Sequence, residues 1–258
     1  MRLLWFLVTL PLCPAAEVKL TDRIVPLVQD GGGWTTTITL VNLESKAAPF
    51  EMLFHTTLMD SWKIAVSGSE VKAEGAYVRG TIAAGATLTF RTSGGSSTVQ
   101  SGYAFLFSPD GARLGGKAVL HQAGSQSSLT LPLSPEREDH LVIPFDNSNG
   151  SAASLLWLTE TQYTQVDYLF TALDGTILLA GNWQFSTEDA SAQQLFSLQD
   201  RFPSLKDKQG LLTLDVTYPN AGRYDDRFFT ALALQSDSNG NVSPVGSMAT
   251  QTWKSNPY

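Results

Sequence analysis

The sequence predicts an all-β protein built from two consecutive β-sandwiches. Three observations carry this. Short alternating apolar and polar runs recur at regular intervals, separated by Gly, Pro, Asp and Asn. A glycine turn, Asp30-Gly31-Gly32-Gly33, opens into a long Thr-rich run, Trp34 to Asn42. A weaker echo of that arrangement returns over a hundred residues later, as Asp146-Asn147-Ser148-Asn149-Gly150 followed by Ser151 to Thr159. A period that long indicates tandem domains and not a solenoid of small stacked repeats.

The chain has 258 residues with 43% hydrophobic and 16% charged content, enough apolar material for real cores. Its start reads as a secretory leader. Met1-Arg2 is a minimal basic segment, Leu3 to Leu12 an apolar run too short to span a bilayer, and Cys13, Ala15 and Ala16 supply small residues for cleavage. Retention as a membrane anchor is the alternative. Lipidation at Cys13 is a further one, although Leu12 departs from the small residue wanted there. The expected division is 1–16 leader, 17–123 first sandwich, 124–139 linker, 140–249 second sandwich and 250–258 a loose tail. The destination is the periplasm or the cell exterior.

Cys13 is the single cysteine, so a processed chain has no disulfide and no thiolate chemistry. The formal charge is −7, and loss of Arg2 with the leader makes it more negative. That balance argues against nucleic acid and anionic lipid as partners. No later stretch reaches transmembrane length.

Arg23 to Val28 is the first strand, with Pro26 suiting an edge. Positive φ costs glycine nothing, which explains the turn that follows. In the next strand Trp34, Thr36, Ile38 and Leu40 share one face, taken as inward, with Trp34 starting the strand that locks the first sandwich. Phe50, Met52 and Phe54 then alternate with Glu51, Leu53 and His55. Further strands are expected at Tyr77 to Ile82, Thr87 to Arg91, Tyr103 to Phe107 and Lys117 to Gln122, the last two joined by the turn Ser108-Pro109-Asp110-Gly111. Ala123 to Asp139 holds Pro132, Pro135 and a charge cluster and reads as the connection, with one strand inside it at Leu129 to Leu133. The second unit restarts at Leu141-Val142-Ile143-Pro144-Phe145. Strands follow at Ala153 to Thr159, Gln165 to Ala172, Thr176 to Leu179 and around Trp183 and Phe185. Next come Gln194 to Leu198, a short helical turn over Gln199 to Leu205, and strands at Leu211 to Tyr218, Phe228 to Leu234 and Val242 to Met248.

The pattern Val25-Pro26, Gly31-Gly32-Gly33-Trp34-Thr35-Thr36 and Leu40-Val41-Asn42 resembles a module of secreted and cell-surface bacterial proteins. Pro144-Phe145-Asp146-Asn147, Asp200-Arg201-Phe202-Pro203 and Gly210-Leu211-Leu212 resemble the partner module that follows it. The resemblance covers nearly the whole mature chain. It implies a pair of immunoglobulin-like sandwiches without assigned biochemistry, and it lends no catalytic residues.

Candidate chemistry is sparse. No Gly-x-Ser-x-Gly elbow exists. Ser69-Glu70-Val71-Lys72 matches Ser-x-x-Lys as a string, but strand and glycine flank it where a helix is required. His55, His121 and His140 lack metal-binding spacing, and they read as surface imidazoles, with His121 and His140 able to meet near the junction. Asp225-Asp226 and Glu188-Asp189 are adjacent pairs that a strand would point apart. Asp237, Asn239 and Asn241 place oxygens as in the start of a calcium loop, but Val242 and Met248 stand where glycine and glutamate are needed. Asp146, Asn147 and Asn149 form a second oxygen-rich loop. Among aromatics that could stack on a sugar, Trp62 is expected to be the exposed one, since Asp60, Ser61 and Lys63 surround it. The candidate ligand residues are therefore Trp62, Asp146, Asn147, Asp237 and Asn239. Gly31, Gly32, Gly33 and Trp34 are structural, because a phosphate loop would lead into a helix and supply a lysine. The sequence predicts no enzyme, no metal and no cofactor. It points to a structural or interaction protein outside the cell with a protein or glycan partner, or alternatively to a carbohydrate-binding module.

Overall fold

A computed structural model describes residues 23–125, 127–135, 140–159, 165–184, 193–217, 229–245 and 248–249. The leader, the tail from 250 onward, Glu136 to Asp139, Phe185, Glu188-Asp189 and Asp225-Asp226 lie outside the described residues.

The chain is all-β, with every strand pair antiparallel. The first half contributes β1 (Arg23–Asp30), β2 (Trp34–Asn42), β3 (Ala48–Thr56), β4 (Val66–Ser67), β5 (Val71–Glu74) and β6 (Tyr77–Ile82). It continues with β7 (Thr87–Thr92), β8 (Gln100–Phe107), β9 (Leu114–Gln122), β10 (Ser128–Pro132) and β11 (Ser134–Pro135). The second half contributes β12 (His140–Asp146), β13 (Ala152–Thr159), β14 (Gln165–Ala172), β15 (Ile177–Gln184) and β16 (Gln193–Ser197). The helical turn α1 (Leu198–Arg201) and a 3₁₀ turn (Pro203–Leu205) come next, then β17 (Gln209–Thr217), β18 (Phe229–Ser236), β19 (Val242–Val245) and β20 (Met248–Ala249).

Four sheets result, with orders β11-β1-β8-β3-β6-β5, β10-β9-β2-β7-β4, β20-β12-β17-β14-β15 and β19-β18-β13-β16. Among the described residues no sheet mixes the two halves. The orders also correspond strand for strand: β1 to β12, β2 to β13, β3 to β14, β6 to β15, and β7 through β11 to β16 through β20. Only β4 and β5 have no counterpart.

Alternation builds each core. Ile38 and Leu40 of β2 face Phe50, Met52 and Phe54 of β3 across the first sheet pair, as their spacing predicts. Leu155 and Trp157 of β13 meet Val166 and Phe170 of β14 across the second. Pro26 sits at a register shift between Val25 and Val28, past the two residues that β11 pairs, so its missing amide is not needed by a ladder. Two expectations are adjusted here. The stretch read as a linker carries the strand expected inside it, as β10, and also β11, and the two extend both sheets of the first pair. The strand expected to end at Leu179 runs on to Gln184.

The halves meet through an apolar layer. Leu27, Leu120 and Leu131 of the first pack with Leu156, Leu232 and Leu234 of the second, and Ile24 and Tyr103 pack with Leu158. β13 and β18 therefore bury both faces, one in their own core and one against the first half. This explains their unbroken runs Leu155-Leu156-Trp157-Leu158 and Ala231-Leu232-Ala233-Leu234. The buried Gln193 adds polar contacts across the same junction. Its amide donates to the carbonyls of Pro26 at 2.6 Å and Gly102 at 3.1 Å. Trp34 is half-buried against this layer. It begins β2 at the edge of the junction, and not within the first core cluster that Ile38 and Leu40 join.

Candidate functional site

The glycine turn is held by backbone hydrogen bonds and close packing. Gly31, Gly32 and Gly33 have φ of 80°, 56° and 86°, and Gly31 and Trp34 exchange both backbone hydrogen bonds. A Cβ on Gly32 would meet Val99 at 2.6 Å, because loop 93–99 lies against the turn. Gly32 donates to the Ser96 carbonyl, and Asp30 accepts from the Gly94 amide at 2.7 Å.

Trp62 is the clearest correction. It is only 5% exposed, packs in the first core, and donates through its indole to Gln100 at 2.9 Å. Its polar neighbours in sequence flank a side chain that points inward. The face it was expected to offer to a sugar is therefore covered.

The oxygen-rich loops are engaged internally. Asn147 is buried; its carbonyl oxygen accepts from Ala153 at 2.7 Å and its amide donates to the Leu205 carbonyl at 3.2 Å. Asp146 accepts from the Ser148 amide and hydroxyl at 2.8 and 2.6 Å. Asp237 accepts from the amides of Asn239 and Asn241 at 2.8 and 2.9 Å and from the Asn241 side chain at 2.8 Å. The Asn241 donors hold its carboxyl below the usual aspartate range. These are turns closing on themselves, with Asn149 and Gly150 in the left-handed region. Among the described residues no three His, Cys, Asp or Glu side chains cluster as metal ligands.

Lys72 lies in β5 and bridges to Glu74, so the Ser-x-x-Lys string has the strand context expected of it. The histidines go separate ways. His55 stacks on Tyr103 with ring centres 5.4 Å apart and lies edge-on to Phe105, which makes it less solvated than the sequence suggested. His121 stands opposite Ser128 on β10, while His140 pairs with Asp215 of β17. Burial pushes the Tyr103 phenol above the usual tyrosine range.

One feature escaped the sequence: a shallow apolar groove of about 320 Å³ on the open side of the second sheet pair. Pro144 and Phe145 of β12, Leu211 of β17 and Val245 of β19 line it, and Leu173 forms its rim. Leu173 is 70% exposed and Ile177, across the same hairpin, 64%. No periodicity signals this groove, since its residues come from separate strands. Compared with protein-family models, curated proteins and solved structures, the chain matches none.

Proposed function

We propose that the chain is a secreted, non-catalytic interaction protein of the bacterial envelope or exterior, made of two tandem immunoglobulin-like sandwiches. The observation that carries this reading is the sheet of β13 and β18, buried on both faces, which joins the halves through leucines and not through a loose tether. Such a joint favours one presentation of the surface over a range of domain orientations. The correspondence of strand orders supports the tandem reading. The polar turns support a scaffold, because their side chains satisfy backbone groups at the sheet ends.

The test is retention of a partner. Mature full-length protein, immobilised, is exposed to envelope and surface fractions of the source cells. Saturable retention of a defined protein or glycan is the expected result. Absence of any retained component, together with turnover of a substrate by the same preparation, would overturn the reading. Sequencing the exported protein from its N-terminus checks the compartment: it should begin just after Ala15 or Ala16.

A further inference from the structure

We propose that the groove beside Leu173 docks the leucine-bearing face of a β-sheet from another β-sandwich protein. The inference deepens the interaction reading above and rests on it.

Aligning the two halves on their matching turns places Trp34 with Ser151, and hence Thr36 with Ala153 and Ile38 with Leu155. Cross-strand pairing then carries the alignment outward. Leu120 stands opposite Thr36 as Gln235 stands opposite Ala153. Leu131 reaches Ile38 through Ala118 as Val245 reaches Leu155 through Ala233. Gly102 pairs with Val28 as Gly210 pairs with Phe145. Pro26, Gly102, Leu120 and Leu131 are among the first-half residues that contact the second half. Their counterparts Pro144, Gly210, Gln235 and Val245 all line the groove. One side of the sandwich thus occurs twice. In the first half Leu156, Leu232 and Leu234 fill it; in the second no described residue does.

The filled copy specifies the occupant. What seats there is neither a peptide nor a helix but the outer face of a sheet, presenting alternate leucines from two neighbouring strands. The groove is also continuous with that interface, since β19 packs against β10 and carries Val245 to the groove. A second copy of this chain is a poor occupant. Its own leucine face is already buried, its charge is −7, and Asp174 and Asp207 stand with Lys208 beside Leu173 at the groove's edge.

A photo-reactive residue placed at Val242, which is 45% exposed on β19, tests the proposal in the full-length protein in its native compartment. The expected result is a crosslink to a different chain, mapped to an apolar sheet face of a β-sandwich. Leu173→Glu should reduce that crosslink at least tenfold with an unchanged melting temperature, because Leu173 is exposed. A homodimer band, a crosslink mapped to a strand edge or helix, or no crosslink at all would overturn the proposal. If the immobilised protein still retains a partner when the crosslink fails, only the groove is wrong. If nothing is retained either, the interaction reading falls with it.

Discussion

The Thr36 hydroxyl accepts from the Gln29 amide at 2.9 Å and donates to the Gln29 carbonyl at 2.8 Å. β1 and β2 separate here into different sheets, so Gln29 has no neighbouring strand on that side, and one side chain satisfies both of its backbone groups. The second half solves the same problem with another residue. Gln235 accepts from the Asp146 amide at 3.1 Å and donates to its carbonyl. The switch follows from the junction: the position of Gln235 is held in the first half by Leu120, which the interface needs.

Thr36→Val keeps the shape and removes both bonds. Two part-buried backbone groups then lose their partner, at a cost of about 1–3 kcal/mol each. Urea denaturation should show a loss of about 2–6 kcal/mol. Thr36→Ser should recover most of it. Gln235→Ala should produce a comparable loss in the second half, and equal stability of Thr36→Val and wild type would refute the role.

Gly102 and Gly210 occupy matching places, and a Cβ on either would fall on a neighbouring carbonyl oxygen, His55 or Thr171 respectively. A backbone carbonyl inside a ladder cannot move aside as a side-chain tip can. Gly102→Ala and Gly210→Ala should each cost about 3 kcal/mol or more. Gly95→Ala, whose Cβ would meet only the Ser93 hydroxyl at 3.4 Å, should be close to neutral. Thermal melts of the three variants separate these outcomes.

The leucine layer predicts coupled unfolding of the halves. Leu156→Ala removes a fully buried side chain from that layer, with an expected cost of about 2–5 kcal/mol. Leu232→Glu goes further by burying a charge there. Calorimetry should show one transition for wild type and two for Leu232→Glu. Trp34→Ala should widen the transition in the same sense while leaving the first core intact, since Trp34 packs on the junction. Two transitions already present in wild type would show that the layer does not couple the halves.

Alternation made most of the fold legible. Phe50, Met52 and Phe54 announce their inward face by spacing alone, and the turn residues bracket β6 and β14 closely. Double burial of β13 was also visible in principle, because Leu155-Leu156-Trp157-Leu158 leaves no polar face. Near neighbours in sequence are a poor guide to which way a side chain points. Trp62 sits among polar residues, yet a single inward turn of the chain takes its ring into the core. The strand inside the linker-like stretch was legible at Leu129 to Leu133, but β11 was not, because only the open side of β1 supplies its pairing. The groove lies beyond any one-dimensional pattern, because Pro144, Leu211 and Val245 converge only once the sheets are packed.

The Asp237 turn gives the pH dependence. Hydrogen bonds from Asn241 and Asn239 favour the charged carboxylate, so its folded pKa lies below the unfolded one. A depressed carboxyl stabilises the fold above the unfolded pKa, and that contribution is lost as pH falls through the folded pKa. The effect is local and small, because the group is exposed and screened by solvent. Carboxyl NMR titration should place the Asp237 midpoint below that of an aspartate in an unstructured peptide. Asn241→Ala removes the first and largest of these donors and should move it upward. Calcium should leave the melting temperature unchanged, since both carboxylate oxygens already accept bonds from the turn. A calcium-dependent rise in melting temperature that Asp237→Ala abolishes would instead make this turn a metal site.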